Sequence, residues 1–191
     1  MKRITLFASG SGSNVENIHE YFKNSSEVEI AAVLTNKRHA GVLDRCERLG
    51  INAFYFNRNA FYETDAVVKL VNSLETDLVV LAGFLWKIPD SLLKAYPDRV
   101  VNIHPALLPK YGGKGMYGMR VHQAIVDNKE SFTGITIHFV NENYDEGAII
   151  AQERIAVKTT DTADEVASKV HELEYEHFPR VIEKLLKKEA E

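Results

Sequence analysis

Short apolar runs alternate with helix-patterned segments through the first half of the chain, and this alternation restricts the fold more than any other feature. The runs lack a regular apolar–polar alternation, as expected for strands buried on both faces of a parallel sheet. The order of the elements predicts an α/β fold with a mostly parallel, Rossmann-like sheet, with the run at 77–83 at its centre. The predicted strands are 3–8, 28–34, 53–56, 77–83 and one ending at Val101, with helices following residue 14 and at 39–49, 60–74 and 90–96.

The second half of the chain has a different pattern. A short helix is predicted at residues 120–128, followed by strands at Phe132–Val140 and Ala148–Val157. The turn between these two strands is too short for a crossover helix, so the strands are predicted to be antiparallel.

The chain ends in a long helical pattern that begins at a capping box formed by Thr162 and Glu165. Pro179 is expected to kink or divide this helix, and the residues from Lys187 to Glu191 are expected to fray. No internal repeat separates a second domain. We therefore expect a single-domain fold completed by a C-terminal antiparallel strand pair and a long C-terminal helix.

Composition excludes several classes of protein. The chain has 191 residues and a formal net charge of −4, which does not favour nucleic acid as a partner. Its one cysteine, Cys46, rules out an internal disulfide framework and is typical of a reducing compartment. The chain opens directly on a strand pattern, and no run approaches the ~20 apolar residues that span a membrane. We expect a cytoplasmic protein that binds neither membranes nor nucleic acid.

A glycine-rich segment, Ser9–Asn14, follows the first predicted strand and precedes Val15, Ile18 and Phe22 at helical spacing. Free backbone N–H groups at a helix N-terminus favour a phosphate, and Ser13 and Asn14 are residue types that cap helices. The alternative is a tight turn that binds no ligand. The dinucleotide signature would need a glycine at position 15, so a phosphomonoester is favoured over a dinucleotide.

Asn102 and His104 are alternate residues where the strand ending at Val101 is expected to leave the sheet. They can point the same way, and Pro105 restricts the backbone behind them. An amide and an imidazole can both donate to one carbonyl oxygen, and Asp145 in a later turn can orient the imidazole. This set predicts acyl transfer, although a histidine at a core edge is more often structural. No serine or cysteine lies in a nucleophile elbow, and no cluster has metal-ligand spacing.

Two loops leave the same predicted edge of the sheet. The loop from Gly83 to Pro89 is apolar and contains the only tryptophan, Trp86. It either packs on the core, which is the commoner case, or forms the wall of a pocket for a flat ring. The loop after Pro109 is rich in glycine at 112–118 and is predicted to be flexible, either as a lid or as a loop without function.

These motifs together resemble one known family over essentially the whole chain, the phosphoribosylglycinamide formyltransferases of purine synthesis. The matching segments are Ser-Gly-Ser-Gly-Ser-Asn at 9–14, Leu-Ala-Gly-Phe at 81–84, Asn-Ile-His-Pro-Ala-Leu-Leu-Pro at 102–109, Thr-Gly-Ile-Thr-Ile-His-Phe-Val at 133–140 and Tyr-Asp-Glu-Gly at 144–147. The Asn-x-His-Pro segment with the later Asp-x-Gly turn marks the wider folate-dependent superfamily. The first glycine loop and the His-Phe-Val strand narrow the match to the glycinamide branch.

The resemblance implies direct attack of a nucleotide amine on the formyl carbon of 10-formyltetrahydrofolate, with a tetrahedral oxyanion and no metal. By this resemblance Asn102, His104 and Asp145 are catalytic. Gly12, Ser13 and Asn14 bind the substrate phosphate, and His171 and Glu174 bind the glycinamide portion. The folate would contact Leu85, Trp86, Lys87, Ile88, Asn102, Val140, Asn141, Glu142, Asn143, Tyr144 and Asp145. The implied partners are these small molecules, with a homodimer as a further expectation.

The chain departs from the family in three places. Leu85-Trp86 stands where the family usually has Met-Arg, and Thr64 replaces an arginine that contacts folate. The loop after Pro109 is longer and richer in glycine. The resemblance divides the chain into a phosphate-binding half, 1–101, and a catalytic and folate-binding half, 102–191. Sugar-nucleotide or methionyl-tRNA formyl transfer, and a non-catalytic nucleotide-binding module, are the alternative functions.

Overall fold

The computed structural model describes residues 1–188 and consists of one mostly parallel sheet with helices on both faces. Its strands are Lys2–Phe7 (β1), Val28–Thr35 (β2), Ala53–Tyr55 (β3), Leu78–Leu81 (β4), Val100–His104 (β5), Phe132–Phe139 (β6) and Ile149–Ala156 (β7). Its helices are Ser13–Phe22 (α1), Gly41–Leu49 (α2), Arg58–Tyr62 (α3), Ala66–Ser73 (α4), Asp90–Ala95 (α5), Met119–Asp127 (α6) and Ala163–Lys188 (α7). Of the segment expected to fray, Lys187 and Lys188 are helical, and 189–191 lie outside the described residues.

The strands follow the order β3-β2-β1-β4-β5-β6-β7, so β4 is central, as predicted. The first five strands are parallel, whereas β6 is antiparallel to β5 and β7 is antiparallel to β6. The predicted fold class is confirmed. Because the chain leaves β1 first toward β2 and later toward β4, the carboxyl ends of β1 and β4 border a crevice. In open α/β sheets this is where ligands bind.

Each face of the sheet has its own core layer. Val15 of α1, Val121 of α6 and Phe178 of α7 pack with Leu6 on one face. Phe61 of α3 packs with the adjacent Phe7 on the opposite face. Both faces of the sheet are therefore covered, which explains why the strand segments read as continuous apolar runs.

Three predicted elements differ from the structure. The helix predicted at 60–74 is two helices, because the Thr64 hydroxyl bonds Ala60 O and Ala66 N at 3.3 Å and supplies the local alternative to a continuous helix. The strand predicted to end at Val101 continues to His104, since β6 pairs with it. Pro179 lies inside α7 without dividing it, because buried side chains on both sides of the proline hold the helix in place, as with Phe178 and Ile182.

The capping box is confirmed. Thr162 N–H donates to Glu165 Oε2 at 2.7 Å, and Glu165 N–H donates to Thr162 Oγ1 at 3.3 Å. Within residues 1–188, no helix combines the length and the apolar character that a membrane crossing needs. Cys46 is buried as a free thiol.

Candidate active site

A cavity of about 510 Å³ opens at the carboxyl ends of β1, β4 and β5. Its walls come from the N-terminus of α1, the glycine-rich loop before α6, the turn between β6 and β7, and α7. Ser9, just after β1, connects the loops that follow β2 and β4. Its hydroxyl donates to Asn36 Oδ1 at 2.7 Å and accepts from Leu85 N at 3.0 Å. The predicted site residues that border the cavity are Gly12, Ser13, Asn14, Leu85, Asn102, His104, Tyr144, Asp145, His171 and Glu174.

The N-terminus of α1 lies in the cavity wall, as the phosphate prediction requires. The helix is capped by Gly12, with φ 76°, and not by a side chain, so the expectation that Ser13 or Asn14 caps it is wrong. Both residues lie in the first helical turn. An added Cβ at Gly12 would overlap the side chain of Val42 on α2, so this position needs glycine for both conformation and space.

Asn102 and His138 face each other across the β5–β6 pair. His138 Nδ1 lies 2.8 Å from the Phe139 carbonyl and must donate to it, which leaves Nε2 as an acceptor. Asn102 Nδ2 lies 3.1 Å from that Nε2, so the amide presents its NH₂ group on this side. The bond uses one of the two N–H groups of Asn102 and leaves the other for a ligand.

His104 is 4% exposed and contacts protein acceptors on both sides of its ring. Nε2 donates to the Tyr111 carbonyl at 2.7 Å, and Nδ1 lies 3.5 Å from Asp145 Oδ2. The same carboxylate oxygen accepts from Gly113 N–H at 2.9 Å. The glycine-rich loop therefore anchors the imidazole and the carboxylate through its backbone, and the turn after β6 brings Asp145 to the end of β5.

Burial and the neighbouring groups have opposing effects on the pKa values of His104 and Asp145. Burial lowers the pKa of His104, and Asp145 and the Tyr111 carbonyl counteract only part of that shift. Burial would raise the pKa of Asp145, but His138, His104 and the Gly113 N–H outweigh it and hold that pKa below its usual range. Of these groups, Gly113 is within hydrogen-bond distance. His138 Nε2 is 3.7 Å away and, with the ring proton on Nδ1, has no hydrogen to donate to Asp145, so the Gly113 N–H and His104 are the effective causes. Asp145 is therefore ionised and is the group that supports a charged His104.

A second acid, Glu174, borders the cavity. Asn14 Nδ2 donates to Glu174 Oε2 at 2.9 Å, which connects α1 to α7. Glu174 is 6% exposed, and burial raises its pKa in spite of the Asn14 bond and the nearby His171. His171 is exposed one turn earlier on α7 and stacks on Tyr175.

Glu174→Gln is expected to raise the melting temperature of the ligand-free protein at neutral pH. A carboxyl whose pKa is raised on folding contributes stability that is present below its unfolded pKa of about 4.5 and lost as pH rises through the folded value. A glutamine at position 174 still accepts the hydrogen bond from Asn14. It does not titrate, so the variant does not lose this stability as pH rises. Thermal unfolding across pH should therefore show a gap between the proteins near neutrality that closes at about pH 4. A gap that is constant with pH would contradict this account.

Only some of the residues predicted to contact folate border the cavity. Leu85, Asn102, Tyr144 and Asp145 border the cavity, whereas Trp86, Lys87, Ile88, Val140, Asn141, Glu142 and Asn143 do not. Trp86 packs near Phe56, Phe61 and Tyr62, with the Arg58 guanidinium 5.6 Å from its ring, and Ile88 is 3% exposed. Trp86 therefore packs on the core, which was the commoner of the two cases considered for this loop. The assignment of the loop to folate binding stays a prediction.

Sequence reasoning missed His138 and the two loop residues Tyr111 and Gly113. His138 could have been found by aligning β6 against β5, because antiparallel pairing puts it opposite Asn102. The loop contacts are backbone interactions, which carry no residue-type signal. Within residues 1–188, no group of three or more His, Cys, Asp or Glu side chains is arranged to hold a metal ion.

The family described as formyl transferase matches residues 2–182. The chain is 38% identical over 187 residues to a chloroplastic phosphoribosylglycinamide formyltransferase of Arabidopsis thaliana, covering 95% of this chain and 64% of the plant protein. It is 35% identical to the phosphoribosylglycinamide formyltransferase of Bacillus subtilis, covering 97% of this chain and 95% of that protein. A crystal structure of this enzyme from Streptococcus pneumoniae is 36% identical, with a TM-score of 0.85, covering 97% of this chain and 99% of the other.

Proposed function

Because the chain belongs to the formyl transferase family, we propose that it transfers a formyl group from 10-formyltetrahydrofolate to the amine of 5-phosphoribosylglycinamide. The product is formylglycinamide ribonucleotide, an intermediate of purine biosynthesis. The observation that carries the proposal is the convergence of Asn102, His104 and Asp145 on one cavity that also contains the N-terminus of α1. The chain spans less than two thirds of the plant relative but nearly all of the bacterial one.

The formyl oxygen would be stabilised by the free N–H of Asn102 and by the Nδ1–H of a protonated His104. These donors are already oriented, by His138 for the amide and by the Tyr111 carbonyl for the imidazole. Donors held in place before the charge develops stabilise the transition state without reorganisation. The oxyanion would compete with Asp145 for the Nδ1 proton. The Nδ1 nitrogen lies 3.5 Å from Asp145 Oδ2, which is long for a hydrogen bond.

The reaction transfers one proton from the attacking amine to the folate. The bond from the amine nitrogen to the formyl carbon forms first and gives a tetrahedral intermediate with an oxyanion and a protonated amine. Asp145 would accept the amine proton, and His104 would donate its own proton to the N10 atom of the folate as the carbon–N10 bond breaks. Proton return from Asp145 to His104 restores the site, with no covalent enzyme intermediate.

The phosphate of the nucleotide would bind at Gly12, Ser13 and Asn14, where the N-terminus of α1 borders the cavity. The charge interaction with a helix N-terminus favours a doubly charged phosphomonoester. Glu174 and His171 lie on α7 beside Asn14, where the glycinamide portion would extend toward His104. Leu85, Tyr144 and the turn from Val140 to Asp145 would contact the folate.

Formyl transfer assays with the nucleotide and with its dephosphorylated nucleoside test this assignment. The nucleotide should be formylated, and removal of the phosphate should lower kcat/KM at least about tenfold, because the transition state loses the binding energy of the remote phosphate. Formylation of a sugar nucleotide or of methionyl-tRNA in preference would contradict the proposed substrate. Binding of the nucleotide without any formyl transfer would support the non-catalytic alternative.

Several features of the proposed enzyme stay predictions. These are the division into a phosphate-binding half, 1–101, and a catalytic and folate-binding half, 102–191, the cytoplasmic location and the homodimer. The dimer has one supporting observation, which is that β7 is the last strand of the sheet and exposes Ile149. An edge strand of this kind is available for pairing with a second chain.

A further inference from the structure

His122 on α6 borders the cavity but has no role in the site described above. It is 2% exposed, and its Nδ1 atom is enclosed without a hydrogen-bond partner. Buried polar atoms without a partner are uncommon in folded proteins, and each one costs about 1–3 kcal/mol. An aliphatic side chain would fill the same helix–helix contact without this cost. The imidazole therefore needs an explanation beyond packing.

His122 lies near the side chains assigned to the glycinamide portion and near the imidazole assigned to the formyl group. Its ring lies 6.4 Å from the ring of His171 at an angle of 83°. Burial, together with the nearby His171 and His104, lowers its pKa to about 4. The ring is therefore neutral at physiological pH and lies within electrostatic reach of the catalytic imidazole on β5 and of the α7 residues one turn before Glu174.

The enclosed Nδ1 determines which hydrogen bond the ring can offer. A neutral imidazole has one N–H donor and one acceptor. Unpaired buried N–H groups are rarer than unpaired acceptors, so the proton is assigned to Nε2 and Nδ1 is the unpaired acceptor. His122 then presents a single uncharged donor to a ligand, which suits a neutral carbonyl oxygen better than a phosphate.

We propose that His122 is a specificity-determining residue that donates a hydrogen bond from Nε2 to the amide oxygen of the glycinamide portion. The inference rests on the proposed function, because it assigns a contact within that substrate. The amide oxygen is the one uncharged acceptor close to the reacting amine, and it lacks a partner in the assignments made above. Glu174 borders the same cavity as His122. Its ionised carboxylate would accept a hydrogen bond from the amide N–H of the substrate. The two residues together would recognise an amide and discriminate against a bare amine.

Substitutions that move the donor test this contact. The amide nitrogen of glutamine reaches the position of imidazole Nε2, whereas that of asparagine reaches only the position of Nδ1. His122→Leu and His122→Asn are expected to raise KM for phosphoribosylglycinamide about tenfold, the effect of losing one such hydrogen bond. His122→Gln should stay within about threefold of the parent protein. The KM for 10-formyltetrahydrofolate should not change, and kcat should fall by less than the KM rises.

A binding measurement separates this inference from the proposed function. Calorimetric titration with ribose 5-phosphate, which lacks the glycinamide, should give the same Kd for the parent protein and His122→Leu. Titration with phosphoribosylglycinamide should weaken about tenfold in the same variant. If the parent protein binds the nucleotide but transfers no formyl group, the proposed function is wrong. The contact from His122 is then still tested by the Kd values of the parent and of His122→Leu for the nucleotide.

Three results would overturn the inference. One is a Kd for the nucleotide that changes less than twofold in His122→Leu. Another is an equal loss in the leucine, asparagine and glutamine variants, which would indicate a structural histidine. The third is an equal loss for ribose 5-phosphate, which would locate the effect outside the glycinamide portion. The melting temperature of His122→Leu should equal or exceed that of the parent, because the leucine removes an unpaired polar atom.

Discussion

Asn102→Ala and His104→Ala are each expected to lower kcat for formyl transfer at least ~10²-fold, the scale for losing one oxyanion donor. In the proposed mechanism each side chain supplies one hydrogen bond that strengthens as negative charge develops on the formyl oxygen. The effect should therefore fall on kcat more than on the KM of either substrate. Steady-state kinetics with both substrates varied would measure it.

His39→Ala is the matched control for the histidine variant, because His39 is exposed and does not line the cavity. Its kcat should stay within about twofold of the parent value, as for most surface substitutions. Circular dichroism and thermal unfolding would establish that the two catalytic variants remain folded. Turnover close to that of the parent in both alanine variants would exclude the proposed mechanism.

Gly147→Ala is expected to have the largest effect on stability, a loss of about 3 kcal/mol in the free energy of unfolding, at the upper end for overpacked sites. A Cβ at this position would overlap the carbonyl oxygen of Phe139 and lie 2.7 Å from its carbonyl carbon. These are backbone atoms and cannot rotate away. The same carbonyl accepts from His138 Nδ1 at 2.8 Å, so its displacement would also disturb the residue that orients Asn102.

Gly41→Ala is the control for this substitution. Gly41 begins α2, and a Cβ there would meet only Ser11 Cα at 3.5 Å, an ordinary contact. Alanine in a helix should leave stability unchanged or raise it by up to about 1 kcal/mol. Urea unfolding followed by the fluorescence of Trp86 would compare the two variants. Equal midpoints for both would show that the turn tolerates a side chain at 147.

Element type and order were predictable because apolar periodicity is a local property of the chain. The run at 77–83 was predicted to be central, and β4 is the middle strand. The capping box at Thr162 was predicted from two residue types at fixed spacing. The break at Thr64 was missed, because a single hydroxyl outweighed a helical apolar pattern on both sides of it. Local competition of this kind has a weak sequence signal.

The sequence by itself determined the α/β architecture, the glycine loop after β1 and the residue types at Asn102, His104 and Asp145, since each depends on local pattern or on motifs that keep their spacing. Only the tertiary structure determined that His138 orients Asn102, that Tyr111 and Gly113 hold His104 and Asp145, and that His122 is enclosed beside His171. These contacts join segments that are remote in sequence or use backbone atoms. Strand register and loop conformation create them, and neither property is encoded in the residue types at the site.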